Sequence, residues 1–319
     1  MDHRKLLSQS DIAPFIQKSD GAAIRMIVVN WGLIVLAFVL PSLWLNPLTL
    51  LVSLVILANR QLGLGILMHD CAHSALFTRR PINQWVGKWL CAAPILADLD
   101  GYRRYHLRHH SAAGTTADPD YPNYRNYPVS RRSLMRKILR DLSGLSGLKT
   151  LSAILLMHAG VIDYDMSYQK SAAKKLSAGE MAGNLWKNLR AFFVVHLVMA
   201  SVLWGFGLLP FYALWWLAFM TLNMFFARIR NAAEHANVPD LLDVDPRLHA
   251  RTTRVGLWER LTFAPNHVNY HLEHHWVPSV PPYRLAAFHR FLLQKGLLEG
   301  VEIAQGYARV FAQLTEKAA

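Results

Sequence analysis

The stretch PLTLLVSLVILANRQLGLGILMHDCAH, residues 47–73, decides the fold. Residues 47–68 form an apolar run which, at about 1.5 Å per residue, is long enough to approach or cross a hydrocarbon core of about 30 Å. The run ends directly on His69 and His73. Their i, i+4 spacing puts both rings on one face of a helix that continues past the run. Asn59, Arg60 and Gln61 interrupt the run and are costly in lipid unless they face protein or reach an interface. The reading adopted here is the second: the helix leaves the bilayer near Asn59 and carries His69 and His73 about 13 to 20 Å beyond Arg60.

Three more groups share this pattern: HLRHH at 106–110, NAAEH at 231–235 and HLEHH at 271–275. With 15 histidines in 319 residues, one HxxHH is expected by chance about 0.03 times, so two of them are not an accident of composition. His106, His109 and His110 repeat the i, i+3, i+4 spacing of His271, His274 and His275, while Asn231 and His235 repeat the i, i+4 pair. Each group therefore presents ligands from a single helical face. Nine imidazoles are too many for one ion and suit two.

Further apolar stretches lie at about 24–43, 192–209 and 211–228. Together with 47–68 they predict an all-α integral membrane protein with four transmembrane helices in two hairpins. A cytoplasmic helical cap, 69–191 and 229–319, carries the histidine-rich site, and residues 1–319 read as one domain. The composition agrees, with 53% hydrophobic and 17% charged residues, ten Trp and eleven Tyr. The hairpin turns around Pro41 to Asn46 and Leu208 to Phe211 carry no charge, whereas Lys and Arg crowd the N-terminus, the segment after Met68 and the segment from Arg228. By the positive-inside rule both termini and all four ligand groups are cytoplasmic, in a bacterial inner membrane. The net charge of +13 fits anionic lipid headgroups better than nucleic acid, because Arg131, Arg132, Arg136, Lys137, Arg140, Lys174, Lys175 and Lys187 flank apolar stretches.

Between the hairpins, Trp85 to Leu99 is too short to span and reads as interfacial or re-entrant. The series Leu134, Ile138, Leu142, Leu145, Leu148, Leu151, Leu155 reads as a helix on the membrane surface or as a packed cap helix. Residues Gly114 to Pro128 read as irregular. After the last ligands, Pro278, Pro281 and Pro282 end the ligand helix before a helical tail. The N-terminus, with Pro14, Phe15 and Ile16, lacks a cleavable signal pattern. Cys71 and Cys91 are the only cysteines, which leaves ligation to histidine and oxygen.

Imidazole suits zinc, copper, iron and nickel; a paired, nearly all-histidine shell with open positions favours an oxygen-activating pair, iron first. Asp70, Glu234 and Glu273 adjoin ligands in sequence, and a carboxylate on the far ring N–H is what orients a metal-bound histidine. His267 stands four residues before His271 and joins its face if that helix extends back, as a ligand or a supporting residue. Among the lone histidines, His3 reads as exposed and His158, His249 and His289 as packed or solvated. His196, in the third span, reads as a helix–helix hydrogen bond or a functional group.

With HxxxH, HxxHH and HxxHH in this order relative to two pairs of spans, the chain resembles the membrane fatty acid desaturase and hydroxylase superfamily over most of its length. Asn231 and His235 resemble the NxxxH element of stearoyl-CoA desaturases, whose asparagine contacts metal through water. The resemblance implies a di-iron centre held by His69, His73, His106, His109, His110, Asn231, His235, His271, His274 and His275. It further implies molecular oxygen as co-substrate, an acyl or other lipid chain as substrate, and two electrons per turnover from a redox partner. No HPGG, four-cysteine or GxGxxG pattern occurs, so electrons are expected from a separate ferredoxin or cytochrome with its reductase. Such boxes serve desaturases and hydroxylases alike. A membrane zinc hydrolase is disfavoured because HExxH is absent, and a metal transporter because the ligands cluster at helix ends and away from the bilayer midplane.

Overall fold

The computed structural model describes residues 6–166 and 173–316. In chain order its main helices are α1 (Asp20–Leu43), α2 (Pro47–Ala72), α3 (Leu99–Ala112), α4 (Arg131–Leu142), α5 (Leu145–His158) and α6 (Ala178–Gly205). They are followed by α7 (Tyr212–Met220), α8 (Leu222–His235), α9 (His271–Trp276) and α10 (Pro282–Gln294). Among the described residues the only strands are the two-residue pair Thr253–Arg254 and Ala304–Gln305. Among the described residues four helical units are long and apolar enough to cross a membrane: α1, α2, α6, and Leu209–His235, which contains α7 and α8.

The first hairpin turns in three residues because its chemistry is local. Asn46 Oδ1 accepts from the backbone N–H groups of Leu48 and Thr49, Pro47 occupies a position that needs no N–H donor, and Thr49 Oγ1 donates to Trp44 O at 2.6 Å. Leu36, Leu43, Trp44, Leu45, Leu48 and Leu51 are exposed, an outward apolar surface that is stable only in lipid. α2 is the most enclosed of the four, packed against α1, α7, α8 and the irregular helix Gly87–Ile95.

That burial corrects the reading of Asn59, Arg60 and Gln61. All three are covered by protein, with Arg60 only 5% exposed. Arg60 donates to Asn59 Oδ1, and Asn59 Nδ2 donates to the carbonyls of Arg260 and Thr262 at 3.2 and 2.8 Å. Asn59 and Arg60 are thus held by protein, Asn59 through the segment that precedes the last histidine group, and need no exit to an interface.

The second hairpin differs from its predicted limits in two respects. α6 begins at Ala178, well before the apolar run at 192, because Ser177 and Glu180 form a reciprocal capping box that starts the helix in polar sequence. The fourth unit is broken at Thr221 (φ −119°, ψ −90°), where Thr221 Oγ1 donates to its own Leu217 carbonyl at 2.5 Å. There α5 crosses so closely that a Cβ on Gly147 would meet the Met220 backbone. The leucine series of 134–155 is likewise two helices, parted at Gly144 with φ +84°. Of that series Leu142, Leu145, Leu148 and Leu155 are exposed, while Leu134 is buried and Ile138 packs against the same cluster, so the first helix is packed on the cap and the second turns an apolar face outward.

The segment from 85 to 99 is neither a span nor a free surface element. Gly87–Ala92 is a π-helix followed by a 3₁₀ turn, tied to α1 by Trp31 Nε1 donating to Leu90 O at 3.1 Å. His196 Nε2 donates to Pro94 O at 3.0 Å, so its Nδ1 accepts from Tyr212 Oη at 2.5 Å. The intramembrane histidine is therefore a helix-to-helix bond. Near the N-terminus, Phe15 packs on Phe288 and Phe291 with ring centroids 5.3 and 5.1 Å apart.

Candidate metal centre

Both hairpins deliver histidines at the end away from their turns. α2 ends in His69 and His73, α8 ends in His235, and α3 and α9 bring the two HxxHH sets against them. The nine rings sort into two groups. His69, His73, His106, His110 and His274 form one; His109, His235, His271 and His275 form the other, and within each group the ligand atoms lie within 4.8 Å of one another. No single sequence box makes a group: HLRHH divides His109 from its neighbours, and HLEHH divides His274 from its own.

In the four-histidine group the protonation pattern follows from the outer partners. His109 Nδ1–H donates to Asp118 at 2.8 Å, His235 Nδ1–H donates to the His249 carbonyl at 2.7 Å, and His271 Nδ1 faces Glu234 at 3.2 Å. His249 Nδ1–H donates to Asp243 O at 2.8 Å, which leaves its Nε2 to accept from His275 Nδ1 at 3.4 Å. Every ring therefore turns an Nε2 lone pair inward. Those atoms meet at 2.9 Å between His271 and His235 and at 3.2 Å between His109 and His275.

Lone pairs held that close repel unless a cation sits between them. Two nitrogens at right angles on one ion, each about 2.1 Å away, stand about 3.0 Å apart. The five-histidine group has the same spacing: Nε2 atoms run from His69 to His274, His110 and His106 in steps of 3.0 Å. His69 Nδ1–H donates to Asp70 at 2.9 Å, and His73 Nε2 is buried with no hydrogen-bond partner. An orphaned imidazole nitrogen is costly in a protein interior and becomes a ligand once an ion is bound. The donor set thus fits a pair of divalent transition-metal ions.

Electrostatics point the same way. Burial first, and then the neighbouring imidazoles, hold His106, His110, His271, His274 and His275 well below the usual imidazole range. His73 is pushed down to about 4, mainly by burial. Neutral rings are the form that binds metal. His109 is different: burial presses its pKa down, but the bond to Asp118 and the charges of Asp120 and Asp118 raise it, which makes it a more basic ligand.

The supporting residues divide. Asp70 and Glu234 do face ligand rings, Asp70 through the ring of its own neighbour. Glu273 faces away from the ligands: its carboxylate accepts from Thr252 Oγ1 and lies 2.5 Å from His289 Nδ1, bracing α9 on α10. His267 joins neither group. The helix begins at His271, and Asn266 and His267 turn the chain with φ of +54° and +64°, so the shared face expected from spacing does not exist. Asn231 accepts from Arg230 Nη1 at 2.8 Å and borders the main cavity. His158 is packed, bonded to Leu96 O at 3.0 Å; His3 lies outside the described residues.

Two contributors were not anticipated. His249, expected to be merely packed or solvated, is 4% exposed and supports two rings, one through its carbonyl and one through its side chain. Asp118 comes from the loop at 114–128 that reads as irregular. A trace of each was present in the sequence, an acidic DPD at 118–120 close behind a histidine box and a histidine in polar sequence, but neither stands at a helical interval from its partner.

Beside the five-histidine group lies a cavity of about 630 Å³, walled by α2, α3, α5 and α8 and bordered by His69, Tyr102, Tyr124 and Asn231. Volumes of this order hold small molecules or part of a lipid chain.

Membrane-length helices in hairpins, converging on two imidazole clusters beside a cavity, define a membrane protein whose donor set is fitted to hold metal. The fatty acid desaturase family profile matches residues 42–306, and the chain belongs to that family. Among characterised proteins it is similar to dihydrorhizobitoxine desaturase of Bradyrhizobium elkanii, with 24% identity over 285 residues that cover 87% of this chain and 73% of that protein. Membership makes the protein an oxidoreductase of the desaturase and hydroxylase type, associated with a membrane and acting on lipid.

Proposed function

We propose that the protein is an oxygen-dependent di-iron desaturase that introduces a double bond into a fatty acyl chain, using electrons from a separate redox protein. The observation that carries this reading is the convergence of two sets of imidazole lone pairs at ligand spacing beside a cavity. His69, His73, His106, His110 and His274 would hold one ion and His109, His235, His271 and His275 the other, with Asn231 reaching the pair through water. The site and both termini face the cytoplasm of a bacterial inner membrane, and residues 1–319 act as one domain.

An acyl C–H bond offers no acidic proton and no electrophilic carbon, so side-chain acid–base chemistry alone does not cleave it. The bound iron pair supplies the oxidising power for hydrogen removal, and the protein supplies ligation, orientation and exclusion of water. Asp118, Glu234, Asp70 and His249 fix the tautomers of His109, His271, His69, His235 and His275 and so keep five of the Nε2 lone pairs on the metal side. Tyr102, stacked on His106 at 5.1 Å, and Tyr124 line the cavity beside the ligands and position the chain against them.

Expression in a bacterial host with a ferredoxin and its reductase, followed by mass spectrometry of the lipids, tests this. Wild type should carry about two irons per chain and yield an oxygen-dependent product two hydrogens lighter than its substrate. His274→Ala, which removes the middle of the Nε2 series, should yield none. A product heavier by one oxygen would make the enzyme a hydroxylase on the same ligands. One zinc per chain, or no oxygen-dependent product from iron-replete protein with a competent donor and varied lipids, would overturn the reading.

A further inference from the structure

The cavity wall carries side-chain amides where a passage for a plain hydrocarbon would carry only apolar groups. Gln61 on α2 and Asn223 on α8 both line it, and their amides tie α2 to the fourth membrane unit, Gln61 to α7 and Asn223 from α8. Gln61 Nε2 donates to Trp215 O at 2.8 Å, and Asn223 Nδ2 donates to Ala58 O at 3.1 Å. A backbone carbonyl accepts only from the amide NH₂, so these bonds fix both amides with their N–H toward the neighbouring helix and their oxygen elsewhere.

Lacing explains the nitrogens and leaves an oxygen over. Gln61 is 1% exposed, and its Oε1 is buried with no hydrogen-bond partner. A buried acceptor left unpaired is destabilising, and native proteins rarely keep one without a reason. Gln61, Gly65 and His69 succeed one another at i, i+4, i+8 along one face of α2, and all three border the cavity. Gln61 therefore stands two turns, about 12 Å, from the metal ligand along the same wall.

We propose that Gln61 is a specificity-determining residue whose Oε1 accepts a hydrogen bond from a hydroxyl on the substrate chain, so that the enzyme selects a hydroxylated acyl chain over a plain saturated one. This rests on the proposed function in taking the cavity as the substrate site. The hydroxyl lies away from the reacting carbons, held at Gln61 while another part of the chain lies at His69. A site built to bond a hydroxyl discriminates strongly against the analogue that lacks it, because the acceptor is then left buried and unpaired.

The test uses the purified iron-loaded protein in detergent, without reductant, and measures equilibrium binding of octadecanoic acid and of a positional series of monohydroxyoctadecanoic acids. At least one position should bind about tenfold more tightly than octadecanoic acid. Gln61→Met should erase the difference, and Gln61→Glu, which keeps an oxygen at the same reach, should retain it. Equal binding of all the acids by wild type overturns the proposal, as does a preference that survives Gln61→Met. If the Met variant fails to fold, judged by gel filtration and iron content, the wild-type series and Gln61→Glu decide alone. Because no turnover is involved, hydroxyl preference without any oxygen-dependent product would count against the desaturase reading only.

Discussion

The two histidine groups are built from the same ligand type but braced differently. In the four-histidine group every ring has an outer partner: Asp118 for His109, the His249 carbonyl for His235, Glu234 for His271 and the His249 ring for His275. The five-histidine group is held more by its own members. Asp70 orients His69, His106 lies against Tyr102, and the Nε2 atoms of four rings form one series. Of the nine clustered rings, only His69, in the five-histidine group, borders the main cavity. One group is thus anchored from behind, while the other meets the cavity, and the difference implies that losses spread differently through the two.

The largest effect is expected from removing a ligand that bridges the five-histidine series. His274→Ala should abolish product and lower iron from about two per chain to about one or fewer, measured by metal analysis of the purified protein. A variant that kept both irons would show that His274 is not a ligand. Next come the braces. Asp118→Asn should weaken one ion by about 10 to 100-fold while the other stays bound, as read from metal titration. Equal weakening of both ions would show that the centres do not behave as separate groups. A smaller loss, near the lower end of that range, is expected for His249→Phe, because the backbone carbonyl that holds His235 survives and, of the bonds to candidate ligands, only the one to His275 is lost, together with the ring's own bond to the Asp243 carbonyl.

A weaker but broader difference concerns acid. In metal-free protein His73, at about 4, and His106, His110, His271, His274 and His275, all depressed, stay neutral where an unfolded chain takes up protons near 6.5. The unfolded state then binds more protons, so stability is full above about 6.5 and falls as pH drops toward about 4. His109, with its raised value, opposes this slightly by favouring the folded state at lower pH. Thermal melts of metal-free protein across this range should show Tm falling with pH; a flat profile would contradict the burial of neutral imidazoles.

Much of this was legible in residue spacing. The i, i+4 and i, i+3, i+4 intervals identify the ligand-bearing faces of His69 to His73, His106 to His110 and His271 to His275, because an α-helix fixes side-chain direction within one turn. Apolar runs located α1 and α2 closely for the same reason. Where the sequence misled, local signal competed with a distant partner. Arg60 looked like an interfacial residue because its covering carbonyls, Arg260 and Thr262, act on Asn59 from 200 residues away in the chain. Likewise, His267 had the right interval but sits in a turn with positive φ, and an interval has meaning only where the helix continues.

The sequence by itself determined the membrane-spanning class and the histidine sets that share helical faces, since composition, run length and helical period are properties of the chain. Only the tertiary structure decided how the histidines divide into five and four, that Asp118 and His249 brace the four-histidine group, and that Gln61, in the cavity wall, keeps a buried unpaired oxygen. Each of these depends on which helices meet and at what rotation, and packing between residues far apart in sequence sets that geometry.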